Sequence, residues 1–531
     1  MSSEAATPPG GGGTGGAQVA ETELQAGAIG FWGNMVQAVT HIAPGLNVLL
    51  GLTFIVSFAG VTAPIAYLLG GIICLGVAVV LTQLAKQFTG AGGYFLYISR
   101  TIGPRFGWLT TWLYFLYDPV AIGTVCAFTG SLVHDTLKTQ YGWNVPWWLI
   151  FAALVICVTL FTLFGIALSV KVMLALAVIE VGVFLALMIS GLVSPGPGGI
   201  NFDSFNPSNI PSGNGLYLGI VFTILALSGF ESVAPLGEET ENPKRNLPLA
   251  IVGSTIVVAL FYMFVNWGVL VGHGTADLKN FTSASQIFDL AERLWGGAWV
   301  IILIAVVNSA LAVCIAIQNA TTRVLFDMGR VGALPSFLAK VHPKYKTPWN
   351  AIWFLSGVTL LIGLGLASWL GPVKTFGMIG IMQTLGLIIV YCMGNIGAML
   401  FYGRERRDEF NWFLHGVVPV LTTIALVWVF WKNVETLHPF SDGNGRLGRL
   451  IVVLQLVEAG ALQHPVLNLS PWLEPRKDQY KDLLLATQPD RRLRPLGPVL
   501  RRSHRQPVAR CHPANRSAER HSRLNAREAQ D

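Results

Sequence analysis

Long stretches without charge fill most of the first 432 residues and constrain the fold more than any other feature. Residues 147–170, for example, contain no acidic or basic side chain. A helix of about 20 apolar residues spans the roughly 30 Å of hydrocarbon in a bilayer, and lipid offers no partners to an open backbone. Eleven apolar stretches with few or no charges follow one another, at 31–58, 62–84, 105–134, 147–169, 172–193, 215–236, 248–272, 297–320, 350–370, 374–402 and 413–432. The sequence therefore predicts an all-α polytopic membrane protein with about 11 transmembrane helices.

The overall composition agrees with a membrane protein and excludes several other classes. Hydrophobic residues make up 53% of the chain and charged residues 12%, whereas a soluble domain carries about 25% charged residues. A disordered protein, a disulfide-rich secreted domain and an ordinary soluble enzyme are thereby excluded over most of the length. The net charge of +7 comes from 35 Lys and Arg spread over 531 residues. Such sparse positive charge does not indicate a nucleic-acid partner.

The distribution of Lys and Arg between the loops predicts the orientation in the membrane. If the N-terminus is cytoplasmic, most loop cations fall on the cytoplasmic side, including the group from Arg323 to Lys346. Cytoplasmic loops of membrane proteins are enriched in Lys and Arg. We therefore predict a multi-pass protein of a bacterial plasma membrane with a cytoplasmic N-terminus.

Two of the predicted spans are interrupted at corresponding places. The first contains Ala43-Pro44-Gly45 and the sixth contains Ser228-Gly229, and each opens a run of five spans. Broken helices in matching positions are typical of transporters built from inverted repeats, whose unwound backbone binds the substrate. A proline kink that serves only packing is the alternative. Because two breaks correspond and Glu231 follows one of them, the pattern favours a binding site.

The residues after the second break carry a resemblance to a known family. The run 230–248 reads FESVAPLGEETENPKRNLP, and GAGGY at 90–94, GALP at 332–335 and PWN at 348–350 support it. These motifs resemble the amino acid–polyamine–organocation superfamily of permeases over roughly residues 28–432, which we take as a permease domain at 29–432. The resemblance implies a leucine-transporter-like fold with a 5+5 inverted repeat. It also implies secondary active uptake or exchange of amino acids or related amines, without a cofactor.

The same resemblance implies where the substrate binds. In the family, the unwound parts of spans one and six hold the substrate's carboxylate and amino groups. By position these parts are Ala43, Pro44, Gly45, Leu46, Ala226, Leu227, Ser228 and Gly229. Free N–H groups at a helix N-terminus suit a carboxylate, and carbonyls at a helix C-terminus suit an ammonium. Leu227 stands where many members have an aromatic lid, so an aliphatic lining would suit a more apolar substrate side chain.

Two of the acids within predicted spans lie outside the two breaks; charge is costly there and is therefore often functional. Glu180 lies in the middle of span five, where some members of the family have a lysine in place of a sodium ion. We predict that Glu180 couples transport to protons; a structural hydrogen bond to a broken-helix carbonyl is the alternative. Asp118 precedes Pro119 in span three. It either meets a substrate ammonium or caps the backbone that Pro119 frees.

Three further acids lie at or beyond the second break. We predict that Glu231 holds the unwound geometry by accepting backbone N–H bonds. Glu238 and Glu239 lie where acids oppose the helix dipole. We predict that loop cations such as Arg100 or Arg105 neutralise these two acids and form an inner gate with them. The alternative is a cluster of charges exposed to water.

A second resemblance begins directly after the last predicted span. Residues 438–449 read HPFSDGNGRLGR and resemble the signature of Fic domains, which transfer AMP or a similar group from a nucleotide to a protein hydroxyl. The resemblance implies that His438 is the base and that Asp442 holds Mg²⁺. It implies phosphate binding by Gly443, Asn444, Gly445, Arg446 and Arg449. A membrane-tethered Fic-type adenylyltransferase that uses ATP and Mg²⁺ is therefore the alternative function.

The Fic segment, 433–487, is predicted to be a partial and inactive all-α domain. Fic domains have several helices before the motif, and here membrane helix occupies those positions; a segment of this size rarely forms a core unaided. Residues 1–28 are rich in Gly, Pro and Ser, and residues 488–531 are rich in Arg without Lys. We predict that both are disordered, and that two gene fragments meet near residue 438. The main prediction is a permease with an amino acid or amine substrate, protons or a counter-substrate, and the bilayer as partners.

Overall fold

The computed structural model describes residues 23–437, apart from 276, 277, 279, 280 and 282–284. The predictions for the N-terminal tail up to residue 22 lie outside the described residues. So do those for the Fic motif, with His438, Asp442, Gly443, Asn444, Gly445, Arg446 and Arg449, and for the tail 488–531.

The described residues form α-helices joined by short turns, with no strand among them. The helices are α1 (Phe31–Ile42), α2 (Pro44–Ala59), α3 (Ala63–Gln87), α4 (Gly93–Thr101), α5 (Pro104–Tyr141), α6 (Trp147–Leu163), α7 (Ile166–Val193), α8 (Gly213–Leu227), α9 (Pro243–His273), α10 (Ser285–Trp295), α11 (Val300–Arg330), α12 (Trp349–Leu370), α13 (Pro372–Arg404) and α14 (Val418–Leu437). A 3-10 helix, Phe230–Glu239, follows α8, and a π-helical turn, Trp412–Val417, precedes α14. The predicted all-helical class is confirmed.

The predicted spans coincide with these helices. Nine helical stretches in the described part of the chain are long and apolar enough to cross a membrane. Residues 31–87 count as one stretch because α1, α2 and α3 follow one another closely, and they contain the first two predicted spans. The stretch predicted at 147–169 is shorter, because α6 ends at Leu163 and Gly165, at φ 116°, turns the chain into α7. These helices establish a multi-pass membrane protein.

Prolines fix where several helices begin. Pro44, Pro104, Pro243 and Pro372 each open a helix, namely α2, α5, α9 and α13. The first residue of a helix needs no N–H partner within the helix, and proline already has the required φ. Proline therefore marks a helix start here. At Pro44 it also marks the point where span one breaks.

Helix α11 lies at the centre of the packing and is buried along almost its whole length. It packs against α1, α5, α6, α7 and the 3-10 helix. Its buried polar side chains include Ser309, Asn319 and Arg323. Because α11 reaches both broken spans, its polar groups can meet the backbone that the breaks expose.

Candidate functional site

The first break is a single residue in a left-handed conformation. Ala43 has φ 55° and ψ 66°, so the chain leaves α1 at Ile42 and starts α2 at Pro44. The left-handed region is costly for a residue with a Cβ, and strain of this kind persists only where the surroundings impose it. Ala43 is almost fully buried. The break is therefore held by its neighbours.

Side chains from two distant helices bind the amides that open α2. The Gly45 N–H donates to Glu180 Oε2 of α7 at 3.3 Å. The Leu46 N–H donates to Ser309 Oγ of α11 at 3.0 Å. Glu180 thus binds an amide of the broken helix, whereas the structural alternative expected a carbonyl. In this conformation a protein carboxylate and a hydroxyl occupy the donors that a substrate carboxylate would use.

Two donors also bridge the carbonyls at the C-terminal ends of α1 and α8. Asn47 Nδ2 donates to Ile42 O at 2.6 Å and to Ala226 O at 3.2 Å. The Tyr262 hydroxyl donates to the same oxygens, at 3.0 Å and 3.3 Å. These carbonyls point to a common place, as an ammonium site requires.

The second break is stabilised from within its own segment. Gly229 has φ 122°, a conformation that a residue with a Cβ rarely adopts, and its N–H donates to Glu231 Oε2 at 2.9 Å. The prediction that Glu231 accepts backbone N–H bonds is thereby confirmed. A Cβ on Gly229 would lie 2.6 Å from His41 Cδ2. The two breaks are therefore in direct contact.

A cavity of about 140 Å³ opens beside both breaks. Its polar edge is formed by Asn47 and Ala226. Its other lining residues are apolar or glycine, namely Leu50, Gly51, Phe54, Phe222, Leu225, Phe376, Gly377 and Gly380. The cavity therefore offers space for an apolar group beside Asn47 and Ala226, which lie close to the first and the second break.

The predicted substrate residues of the broken spans lie around the two breaks, and of these Ala226 also lines the 140 Å³ cavity. Gly45 and Leu46 lie at the start of α2, Ala226 and Leu227 end α8, and Ser228 accepts a 2.8 Å hydrogen bond from the Tyr117 hydroxyl. Leu227 is buried and is not among the residues that line the 140 Å³ cavity. The neighbouring Leu225 lines that cavity instead.

Asp118 has different partners from those that the sequence suggested. Its Oδ1 lies 3.3 Å from His41 Nε2, and its Oδ2 accepts from the Thr321 hydroxyl at 3.3 Å. Near Pro119, it is Gln383 that donates to the Tyr117 carbonyl, at 2.9 Å. Asp118 thus faces a histidine and a threonine of the bundle interior.

Two ion pairs lie at the far end of the 3-10 helix, which we call the gate end. Glu239 accepts two hydrogen bonds from Arg323, at 2.8 Å and 3.1 Å, and both side chains are buried. Glu238 accepts from Arg330 at 3.0 Å, in a partly exposed setting. The partners are therefore arginines of α11, where the sequence suggested Arg100 or Arg105.

Sequence reasoning missed several residues of the site. These are His41, Asn47, Tyr262, Ser309 and Arg323. Asn47 lies two residues after Gly45, so its position next to the first break could have been predicted from the sequence. The others come from distant helices, and only the packing brings them to the breaks.

The chain is similar to a family model and to several known transport proteins. A family model described as amino acid permease matches residues 30–440. The branched-chain amino acid permease BcaP of Bacillus subtilis (strain 168) is 26% identical over 73% of this chain and 83% of its own length. The low-affinity putrescine importer PlaP of Escherichia coli (strain K12) is 24% identical over 70% and 81%. The serine/threonine exchanger SteT of Bacillus subtilis (strain 168) is 26% identical over 61% and 73%.

Proposed function

The chain belongs to the amino acid permease family and is a secondary transporter, and we propose that its substrate is an amino acid with an aliphatic side chain. One observation carries this proposal: the 140 Å³ apolar cavity is lined by Ala226 and by Asn47, which donates to the carbonyls of Ile42 and Ala226. The amides of Gly45 and Leu46 would bind the carboxylate, and the carbonyls of Ile42 and Ala226 would bind the ammonium. In the structure, Glu180 and Ser309 bind the two amides, and Asn47 and Tyr262 bind the two carbonyls.

The size and lining of the cavity favour an aliphatic side chain over a second amine. An apolar cavity of about 150 Å³ accepts a molecule as large as benzene, so about 140 Å³ suits a branched aliphatic group. No acid is among the described residues that line the cavity, and a buried ammonium without a counter-charge is strongly disfavoured. The relative BcaP is named for branched-chain amino acids and PlaP for putrescine. The apolar lining supports a branched-chain amino acid, not a diamine, as the substrate.

Uptake into proteoliposomes tests this choice. We expect the purified full-length protein to take up labelled leucine, and Gly380→Leu, which fills the cavity, to reduce that uptake at least about tenfold by overpacking. Gly357 lies on α12, with no described side chain within 4 Å of its Cβ position. Gly357→Leu is therefore the matched control. Uptake of putrescine in place of leucine, or unchanged leucine uptake by Gly380→Leu, would contradict the proposal.

We propose that protons couple to this transport through Glu180. Glu180 is fully buried, its Oε2 binds the Gly45 amide, and its Oε1 has no hydrogen-bond partner among the described residues. An acid within a span commonly belongs to a proton pathway. Glu180→Gln keeps the shape but cannot ionise. We expect it to weaken uptake driven by a pH gradient, while counterflow exchange of leucine persists. Unchanged proton dependence would show that Glu180 is not part of the mechanism.

We propose that the gate end faces the cytoplasm of a bacterial cell. We also propose that α1 to α7 form one of two inverted five-span repeats and that α8 to α13 form the other. The Glu239–Arg323 and Glu238–Arg330 pairs would then close the inner side of an alternating-access cycle. Cysteine labelling of intact cells tests the orientation. A cysteine placed at Lys244 should react only after permeabilisation.

The Fic-type activity stays a prediction that rests on the motif alone. The family match ends at residue 440, within the motif that begins at His438. Incubation with labelled ATP and Mg²⁺ tests it. Self-modification that is lost in His438→Ala would establish the enzyme, and its absence in both proteins is the outcome that a partial domain predicts.

A further inference from the structure

A second group of buried ionisable side chains lies between the breaks and the gate end. His41 is in the last turn of α1, Asp118 is in α5 and Glu231 is in the 3-10 helix, and each is at most 3% exposed. The 3-10 helix and the start of α1 meet at the gate end, where the Ile29 N–H donates to Glu239 O at 3.0 Å. Glu180 is not a member of this group: it lies on α7 and binds the Gly45 amide, on the α2 side of the first break.

The polar atoms of this group have fewer partners than buried atoms normally have. His41 Nε2 and Asp118 Oδ1 lie 3.3 Å apart. Neither of these atoms, nor His41 Nδ1 or Glu231 Oε1, has a hydrogen bond of good geometry among the described residues. Buried polar groups in proteins are nearly always paired. A proton on His41 would give it two donors beside acids that accept, which is the simplest way to satisfy these atoms.

A route for protons leads from the group toward the gate end. Glu231 lines a polar space of about 10 Å³, which has room for one water. Its walls include the hydroxyl-bearing residues Tyr94, Thr110, Thr111 and Tyr114. Gly92, in the same wall, packs against Asp327, which pairs with Arg330 at 2.6 Å.

We propose that His41 and Asp118 form a second proton-binding site, distinct from Glu180, which exchanges protons with the gate end through Glu231. The imidazolium of His41 holds the proton beside the Asp118 carboxylate. On release the proton passes to the Glu231 carboxylate, and from there to water in the polar space. His41 is then neutral, and Asp118 keeps its charge.

Other titratable groups surround this site on every element packed against it. Those nearest to Glu231 and Asp118 are Cys74 of α3, Tyr94 of α4, Tyr114 and Tyr117 of α5, and Tyr391 of α13. On the helices that pack against α1 they are Glu180 of α7, Tyr262 of α9 and Arg323 of α11. Arg323 is already paired with Glu239. We therefore assign the proton of this cluster to His41, which lies beside Asp118.

The pair also connects proton release to movement. His41 belongs to α1 and Asp118 to α5, so a protonated His41 attracts the two helices to each other. Loss of the proton removes that attraction and leaves the buried Asp118 carboxylate without its counter-charge, which favours separation and hydration. Release toward the gate end would thus accompany opening of that end.

Histidine NMR of the full-length protein in nanodiscs tests the site without a substrate. With the pH varied between about 5 and about 8, we expect one of the histidine signals to change between the protonated and the neutral imidazole, to be missing from His41→Gln and to change in Asp118→Asn. His415 is also buried and stacks on Tyr402. His415→Gln is therefore the matched control and should retain the signal. A His41 signal that keeps one protonation state throughout this range would overturn the proposal.

Proton counting gives a second, independent measurement. With leucine as the probe, we expect the ratio of protons to substrate to fall about twofold in His41→Gln and in Glu180→Gln, and to remain unchanged in His415→Gln. If His41→Gln does not fold, Asp118→Asn replaces it in both experiments. An unchanged ratio in a folded, transporting variant would also overturn the proposal. If the ratio falls in His41→Gln but not in Glu180→Gln, the result supports this second site and shows that Glu180 does not couple protons to transport.

Discussion

The two breaks expose similar backbone groups, yet they are stabilised in different ways. At the first break, the amides of Gly45 and Leu46 are bound by Glu180 and Ser309, from α7 and α11. At the second break, the Gly229 amide is bound by Glu231, two residues further along the same segment. The first break therefore depends on the assembled bundle, and the second carries much of its support in its own sequence.

The backbone conformations of the two breaks also differ, and again the first break depends more on its neighbours than the second. Ala43 adopts a left-handed conformation despite its Cβ, whereas Gly229 occupies a region that glycine tolerates. The first break thus stores strain that its neighbours impose, and the second uses a residue suited to its geometry. Substitutions should accordingly act in opposite directions at the two places.

The largest effect is expected at Gly229. Gly229→Ala adds a Cβ within 2.6 Å of His41 Cδ2 and 2.9 Å of the His41 carbonyl carbon, at an unfavourable φ. We expect a loss of about 3 kcal/mol in the free energy of unfolding, from clash and backbone strain, together with loss of transport. Thermal unfolding in detergent and leucine uptake measure both. Gly182→Ala is the control, since no described atom lies within 4 Å of that Cβ position; equal losses in the two variants would contradict this account.

A non-additive effect is expected where two donors share the same carbonyls. Asn47→Ala or Tyr262→Phe alone leaves the other donor on Ile42 O and Ala226 O. We therefore expect each single change to cost less than about 1 kcal/mol. The double change leaves two buried carbonyls unpaired and should cost about 2 kcal/mol or more. A double-mutant cycle on unfolding free energies measures the coupling, and simple additivity would show that the two donors act independently.

A smaller effect is expected at Ser309, which supports the first break from a distance. Ser309→Ala removes the acceptor of the Leu46 N–H and should cost about 1 kcal/mol. Ser356 is a buried serine elsewhere that bonds Thr159 and Gln318 side chains. Ser356→Ala serves as a matched control with a similar stability change. Because Ser309 Oγ occupies the Leu46 amide that the substrate carboxylate would use, only Ser309→Ala should strengthen leucine binding, measured by thermal shift with leucine.

The smallest effect, of opposite sign, is expected at Ala43. Ala43→Gly relieves the left-handed strain, roughly 1 kcal/mol, but it also increases the freedom of the unfolded chain by a similar amount. We expect the melting temperature to stay within about 2 °C of the original or to rise. A clear fall would show that the Ala43 methyl group contributes packing that outweighs the strain.

Local features of the sequence predicted the helices and both breaks. The uncharged stretches, the Pro44-Gly45 pair and the Ser228-Gly229 pair are visible within short windows, and Glu231 is close enough to be assigned to its break. The partners of the first break were not visible in this way. Ser309 lies 263 residues from Leu46, and Arg323 lies 84 residues from Glu239. Without the packing of α11, nothing in the sequence separates these side chains from other polar residues of the spans.

The 3-10 winding of Phe230–Glu239 has a mechanical consequence. Ten residues in this form extend about 20 Å, because each rises about 2.0 Å, whereas as an α-helix they would extend about 15 Å. The segment is thus held at the longer of two natural lengths, and the buried Glu239–Arg323 contact anchors its far end. A return to α-helical winding would withdraw Glu238 and Glu239 by about 5 Å. A change of helical pitch within Phe230–Glu239 would therefore separate both acids from their arginines, without a hinge elsewhere.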